Sequence, residues 1–150
     1  MTNRKITKIL IANRGEIALR IIRTAHEMGI STVAVYSETD VVAPHVLAAD
    51  EAVCLGPGPS SESYLMADKV LQAAIDTGAN GIHPGYGFLS ENADFAEQVE
   101  KAGIAFIGPG TMAIRTMGDK LQAKEAVKAR NIPLVPGTDG AISDAKEALK

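Results

Sequence analysis

The sequence predicts an α/β domain in which short buried strands alternate with amphipathic helices. Three times along the chain, an apolar helical pattern ends at a glycine and a short apolar strand follows within a few residues. These glycines are Gly29, Gly78 and Gly103. The strands are continuously apolar, which is typical of strands covered on both faces of a parallel sheet. Because strand–helix–strand units form right-handed crossovers, we predict a Rossmann-like three-layer domain with a mostly parallel sheet, extending to about residue 115.

Five strands are predicted in order along the chain. The second contains Thr32, Val33 and Val35, whose β-branched side chains favour an extended backbone. The predicted spans are 8–12, 32–36, 51–55, 81–83 and 105–107.

Helices are predicted between these strands from apolar residues at helical spacing. The first is marked by Ala18, Ile21, Ile22, Ala25 and Met28, the second by Met66, Val70, Leu71, Ala74 and Ile75, and the third by Phe95, Ala96, Val99 and Ala102. We expect the members of the third helix to face inward.

Beyond about residue 115 the pattern changes. A helix begins at Gly118 and Asp119 and continues to about residue 130, and a loop rich in proline and glycine follows. Ser143 is predicted to be the N-cap of a last helix. Two helical turns up to residue 150 are too few to be stable alone, so we expect an amino-terminal piece of a longer enzyme, ending inside its second domain.

Composition excludes several classes of protein. Of the 150 residues 46% are hydrophobic and 22% charged, as in a soluble globular domain. The net charge of −3 argues against a general nucleic-acid-binding protein. No apolar run approaches the roughly 20 residues of a membrane span, and the first strand is too short for a signal-peptide core. The single cysteine, Cys54, excludes an internal disulfide; we predict a buried strand thiol and a cytoplasmic location.

The turn after the first strand, residues 13–16, carries no dinucleotide-binding fingerprint. It lacks the G-x-G-x-x-G spacing, and Glu16 in the first helical turn would repel an anion. No G-x-x-x-x-G-K-[ST] segment occurs, which excludes a P-loop nucleotide site. No Cys/His cluster has the spacing of a metal site, so no metal ligand is assigned.

The stretch after the fourth strand, HPGYGFLSEN at residues 83–92, is the best candidate for a binding loop. It lies at the carboxyl end of a strand, where open α/β sheets bind ligands. Gly85 and Gly87 flank Tyr86, so the loop turns sharply and exposes backbone N–H groups. The alternative is a tight connection with Tyr86 and Phe88 packed beneath it, and the spacing alone does not decide between the two.

Four further features have both a structural and a functional interpretation. We interpret His83 as a hydrogen-bonded histidine at a strand end, and Glu91 as a carboxylate favoured by a helix dipole rather than a general base. Lys120, after the predicted N-cap Asp119, is a surface lysine unless an anion lies close to it. No catalytic residue is therefore assigned. One face of the first helix is either solvated or a subunit contact. Its members are Arg20, Arg23 and Glu27.

Three stretches in this order, IANRGEIALRI, HPGYGFLSEN and MGDK, resemble the amino-terminal part of biotin carboxylase. This is the ATP-dependent component of the acetyl-CoA, propionyl-CoA, methylcrotonyl-CoA and pyruvate carboxylases. The resemblance extends over about residues 8–139. It implies a pre-ATP-grasp domain at 1–115, followed at 116–150 by linker helices and the start of an ATP-grasp domain.

The resemblance also implies roles for individual residues. Tyr86 and the N–H of Gly87 would line the pocket for the biotin ureido ring, and Lys120 would contact the phosphates of ATP. The residues implied at a homodimer interface are Arg20, Arg23 and Glu27.

The activity implied is carboxylation of biotin on a carrier protein or domain, with ATP, bicarbonate and Mg²⁺ or Mn²⁺. A carboxyltransferase would then pass the carboxyl group to an acyl-CoA or a keto acid. Neither nucleic acid nor a membrane is an expected partner. The glycine-rich lid, metal-binding carboxylates, base and biotin-facing arginine belong to the family pattern beyond residue 150, so this segment alone is expected to be inactive.

Two alternatives stay open. Another ATP-grasp ligase, of the carbamoyl-phosphate synthetase or purine-pathway carboxylase type, would share the first domain but is not expected to carry HPGYGFLSEN. A non-catalytic α/β dimerisation module is the other alternative.

Overall fold

The structure, a computed structural model, describes residues 5–135, which belong to two compact units, one ending at Thr111 and the next beginning at Met112. The strands are β1 (Lys8–Ile11), β2 (Ser31–Ser37), β3 (Glu51–Gly56), β4 (Gly81–His83) and β5 (Ala105–Phe106). The helices are α1 (Gly15–Glu27), α2 (Pro44–Ala48), α3 (Ala67–Asp76), α4 (Ala93–Lys101), α5 (Thr111–Gly118) and α6 (Lys120–Lys128), with 3₁₀ turns at Glu38–Asp40 and Ser60–Glu62. The predicted N-cap Ser143 lies outside the described residues.

All five strands are parallel, and their order in the sheet is β3–β2–β1–β4–β5. After β1 the chain first adds β2 and β3 toward one edge of the sheet, and it then returns to add β4 and β5 toward the other edge. The strands β1 and β4 are neighbours, but the loops that follow them lead to opposite edges of the sheet. At such a point open sheets form a ligand crevice. The two strands end level with each other, since Ile11 pairs with His83 and the N–H of Ala12 donates to the carbonyl of His83 at 2.9 Å.

Apolar side chains fill both faces of the sheet. Leu10 of β1 lies in a cluster with Val70 of α3 and Phe95 of α4. Its neighbours Ile9 and Ile11 lie in a second cluster, packed against α1. Because successive residues of a strand point to opposite faces, each strand must be apolar throughout to sit between two layers of helices. The predicted α/β fold class with its parallel sheet is confirmed.

The strand β3 departs from the predicted burial. It lies at an edge of the sheet, and Cys54 is exposed, so the prediction of a buried thiol is wrong. Leu55 is the one residue of this strand that is buried. An apolar run predicts a strand, but it does not tell a central strand from an edge strand.

The ends of the helices also differ from the prediction. Ala102 is the C-cap of α4 and is exposed instead of facing inward as predicted. Met28, included in the predicted first helix, is the C-cap of α1 and is exposed as well. Ile75 in the last turn of α3 is half-exposed, at 50%. Helical spacing continues across a terminus, whereas contact with the sheet stops there. Within residues 5–135, no helix combines the length and the apolar character needed to span a membrane.

Candidate functional site

The loops after β1 and β4 are joined by the side chain of Asn13. This side chain is almost fully buried, and its amide donates to the carbonyl of Pro84 at 2.8 Å and to that of Tyr86 at 2.7 Å. Its own oxygen accepts the N–H of Arg14 at 2.9 Å. Sequence reasoning assigned no role to Asn13, because nothing in the turn after β1 indicated that the loop after β4 packs against it.

The β4–α4 loop, residues 84–92, needs its two glycines for different reasons. Gly85 has φ +66°, and a Cβ there would lie 2.8 Å from the amide nitrogen of Asn13. A side chain at this position would push the loop away from the turn after β1. Gly87 has φ +65°, but a Cβ there would meet no atom within 4 Å. Its surroundings are open, as the site of an incoming ligand would be.

The two aromatic residues of this loop have opposite environments. Tyr86 is 62% exposed, and its hydroxyl donates to the carboxylate of Glu16 at 2.6 Å, which raises the pKa of the Tyr86 hydroxyl. Phe88 is half-buried, with a left-handed φ of +44°, and its ring stacks on Tyr64 at 5.3 Å between centroids. Packing beneath the loop is therefore right for Phe88 and wrong for Tyr86. A left-handed non-glycine residue is strained, and the stacking contact helps to hold it.

Tyr64 connects the floor of the loop to the end of β2. Its hydroxyl donates to Asp40 at 2.6 Å and accepts the N–H of Ser37 at 3.0 Å. Burial, with a smaller effect of the Asp40 bond, raises the pKa of Tyr64 to about 12, and the same bond lowers the pKa of Asp40. The guanidinium of Arg14 lies 5.8 Å from the centre of the Tyr64 ring and 3.8 Å from Asp40. This network links the stacked Tyr64 and Phe88 rings to the end of β2.

His83 is hydrogen-bonded at the end of β4, and Glu91 lies just before the cap of α4. Nδ1 of His83 accepts the N–H of Gly85 at 3.0 Å, and burial lowers the pKa of this imidazole, which favours the neutral form that can accept. Asn92, not Glu91, caps α4, because its side chain accepts the N–H of Phe95 at 2.9 Å. Glu91 is exposed and precedes the cap, so it lies outside the first helical turn.

An open depression of about 390 Å³ lies between the two loops, lined by residues 13–17 and 86–88. Throughout residues 5–135, no hydrogen-bond acceptor is found for the N–H of Gly87. An exposed donor beside the aromatic ring of Tyr86 suits a flat ligand with a carbonyl oxygen. No group of three or more His, Cys, Asp or Glu side chains in the described part of the chain could hold a metal ion.

The predicted interface residues lie on α1. Arg20 and Arg23 are exposed and line a second open depression, of about 440 Å³. Glu27 is exposed at the end of the same helix.

The second unit contains the predicted nucleotide contact. Asp119 is the N-cap of α6, as predicted, and one of its oxygens accepts the N–H groups of Leu121 and Gln122, each at 2.9 Å. Lys120 is the first residue of this helix and is exposed.

Comparison with known proteins decides the family. The family model "Biotin carboxylase, N-terminal domain" matches residues 5–114. The chain belongs to the biotin carboxylase family. The matched range contains both loops of the candidate site and α1, whereas Lys120 lies beyond it.

Curated relatives agree with this family. The biotin carboxylase of Allochromatium vinosum is 60% identical over 142 residues, which are 95% of this chain and 32% of the relative. The mitochondrial propionyl-CoA carboxylase alpha chain of Caenorhabditis elegans is 56% identical over 146 residues, 97% of this chain and 20% of the relative. This chain therefore spans about a third and a fifth of the lengths of these two proteins. The alternative ATP-grasp ligases are not supported.

A solved structure shows the same fold. It is the biotin carboxylase domain dimer of Hydrogenobacter thermophilus 2-oxoglutarate carboxylase, in complex with MgADP, ADP and bicarbonate. Its TM-score is 0.91 at 49% identity, and the match covers 97% of this chain and 32% of that one.

Proposed function

We propose that the protein carrying these residues is an ATP-dependent ligase that carboxylates biotin on a carrier protein or domain, with bicarbonate as a substrate. Membership of the biotin carboxylase family supports this proposal. The presence of MgADP and bicarbonate in the related 2-oxoglutarate carboxylase domain supports ATP, Mg²⁺ and bicarbonate as ligands here. Biotin, Mn²⁺ as an alternative metal, the carrier and the carboxyltransferase are inferred from the family.

The observation that carries the proposal is the exposed N–H of Gly87 beside Tyr86. The ureido ring of biotin is flat and carries a carbonyl oxygen, to which this N–H would donate a hydrogen bond. One such hydrogen bond contributes only about 0.5–1.5 kcal/mol. Its larger effect is to orient the ring, because small displacements of a reacting group reduce the rate strongly.

Lys120 is proposed to contact the phosphates of ATP. Two N–H groups at the start of α6 are already bonded to Asp119, and the exposed ammonium of Lys120 is the positively charged group in this turn that a phosphate would meet. We propose further that the ATP-grasp domain begins after about residue 115. The metal-binding carboxylates, the base and the biotin-facing arginine of the family pattern are expected beyond residue 150.

Phosphate release from ATP tests this function. We expect the full-length protein to hydrolyse ATP in a bicarbonate-dependent reaction that free biotin stimulates, and residues 1–150 alone to show no such hydrolysis. Activity without any response to biotin would favour another ligase, and no activity of the full-length protein would favour a binding module. Turnover by the isolated 150 residues would contradict the proposal that they lack a complete catalytic set.

A homodimer contact is proposed for the exposed face of α1. Its charged residues are Arg20, Arg23 and Glu27. The measurement is the mass of the full-length protein in solution, where Arg23→Glu is expected to shift a dimer toward monomer because it reverses a charge at the contact. Lys101→Glu, a charge reversal on α4, is the control and should leave the dimer intact. An unchanged dimer in Arg23→Glu would refute this interface.

The proposed compartment is the cytoplasm, on the ground of the single cysteine. The C. elegans relative is named as mitochondrial, so members of the family also occur in organelles.

A further inference from the structure

We propose that Asn13 is a positioning residue for biotin: it fixes the direction of the Gly87 N–H, and through it the orientation of the bound ureido ring. This inference rests on the proposed function for its ligand, and on the geometry of the two loops for its mechanism.

The peptide between Tyr86 and Gly87 is held through its carbonyl group. Asn13 donates to the carbonyl of Tyr86 at 2.7 Å, so that carbonyl faces the turn after β1. The described chain has no cis peptide bond, and in a trans peptide the C=O and N–H point in opposite directions. The N–H of Gly87 must therefore point away from Asn13.

A second hydrogen bond from the same amide restricts rotation of the loop backbone further. The other donor of Asn13 holds the carbonyl of Pro84 at 2.8 Å. The following N–H, that of Gly85, points away and donates to His83 at 3.0 Å. Two carbonyl anchors, one on each side of Gly85 at Pro84 and Tyr86, therefore leave the backbone of Gly85 little room to rotate.

Only an amide side chain provides this set of bonds. Asn13 uses two N–H donors on the β4–α4 loop and one acceptor on Arg14. Aspartate has acceptors only and would repel both carbonyls, and serine has a single donor. Glutamine is one methylene longer, and there is little room for it, because even a Cβ added at Gly85 would lie only 2.8 Å from the amide nitrogen of Asn13.

The other contacts of the loop do not replace this one. Glu16 holds the hydroxyl of Tyr86, at the far end of its side chain, and Tyr64 stacks on the ring of Phe88. Neither contact reaches the peptide between Tyr86 and Gly87. Loss of the Asn13 amide is therefore expected to release this peptide while the aromatic floor stays packed.

The experiment compares Asn13→Asp with Asn80→Asp in the full-length protein. Asn80 is the matched control because its side chain also bonds to three backbone groups, those of Lys5, Thr7 and Lys8, at the amino end of the sheet. We expect Asn13→Asp to lower kcat/KM for free biotin by about 10- to 100-fold, with KM for ATP within about twofold of wild type. Asn80→Asp should leave both quantities within about twofold.

Hydrogen exchange supplies a measurement that does not depend on activity. The N–H groups of Gly85 and Ser90 are bonded within the loop, the latter to the carbonyl of Gly87 at 2.9 Å. We expect both to exchange faster in Asn13→Asp and at the wild-type rate in Asn80→Asp. Gly85→Ala, which adds a Cβ against Asn13, should reproduce the effect from the other loop if Asn13→Asp does not fold.

The outcomes separate this inference from the proposed function. Unchanged biotin kinetics in Asn13→Asp, or an equal loss in Asn80→Asp, would overturn the positioning role. If the wild-type protein shows no turnover with biotin, the proposed function fails. The exchange of Gly85 and Ser90 then still decides whether Asn13 holds the loop.

Discussion

Asparagine side chains join loops at both ends of the sheet, but they leave different groups exposed. At the carboxyl end Asn13 donates to two carbonyls, and the N–H of Gly87 is left facing outward. At the amino end the oxygen of Asn80 accepts the N–H groups of Thr7 and Lys8, and its amide donates to Lys5. The same type of side chain thus leaves a backbone donor without a described acceptor at one end and satisfies the backbone at the other.

A second pair of contacts repeats the difference. At the amino end Asp50 accepts both the N–H and the hydroxyl of Thr32, and it lies 3.1 Å from His26, so its bonds stay within the protein. At the carboxyl end the bond between Tyr86 and Glu16 lies on the surface of the depression. Among the described residues of the two loops at the carboxyl end, the N–H of Gly87 is a donor that lacks an acceptor, at the general location of ligand sites in such sheets.

The largest expected effect is from the buried tyrosine below the loop. Tyr64→Ala removes the stack with Phe88 and the bonds to Asp40 and Ser37, so the free energy of unfolding should fall by about 3–5 kcal/mol. Urea unfolding measures this. Tyr86→Ala is the matched control. Because Tyr86 is exposed, the free energy of unfolding of this variant should stay close to that of wild type. Equal losses of unfolding free energy in the two variants would show that the buried Tyr64 contributes no more to stability than the exposed Tyr86.

Alkaline pH should remove the stabilising contribution of Tyr64 at the carboxyl end. The pKa of Tyr64 is raised to about 12 from 10.0, so the folded protein holds this proton more tightly than the unfolded chain. The contribution is full below pH 10 and is lost as the pH rises toward 12, by about 2–3 kcal/mol at 1.36 kcal/mol per pH unit. Unfolding measured from pH 9 to 12 should show this loss in wild type and less of it in Tyr64→Phe. Identical profiles would contradict the assignment.

The smallest expected effect is at the amino end. Asp50→Ala leaves two groups of the buried Thr32 without their partner, and the expected loss is about 1 kcal/mol because water reaches this half-exposed site. Its bonds to Thr32 lower the pKa of Asp50, so its contribution is present above the ordinary value of 3.8 and is lost as the pH falls through the folded value. Acid unfolding should therefore be less steep in Asp50→Ala.

The control for this variant is Glu91→Ala, which removes an exposed carboxylate at the other end of the sheet. It should leave both the stability and the acid transition unchanged. A loss as large as that of Asp50→Ala would mean that net charge, and not the bonds to Thr32, explains the effect.

The sequence predicted the parallel sheet well because the signals are local. A glycine in the left-handed region ends α1, α3 and α4, with φ of 69°, 67° and 75°, and an apolar strand follows each. The capping role of Asp119 is equally local and was also predicted. The exposure of Cys54 was not, because it follows from the position of β3 at an edge, which depends on the order of the strands.

Within the site, the sequence indicated the members of one loop but not their support. HPGYGFLSEN marked a turn with exposed N–H groups, and the family resemblance named its ligand. The sequence did not indicate the contacts of Asn13, Glu16 and Tyr64, since their partners lie 71, 70 and 24 residues away along the chain.

By itself, therefore, the sequence determined the five strands, the three helices α1, α3 and α4 between them, and where glycine must turn the backbone, because these depend on neighbouring residues. Only the tertiary structure decided that the turn after β1 meets the loop after β4. That contact depends on the strand order, which places β1 beside β4 at the centre of the sheet, and strand order is set by packing between distant parts of the chain.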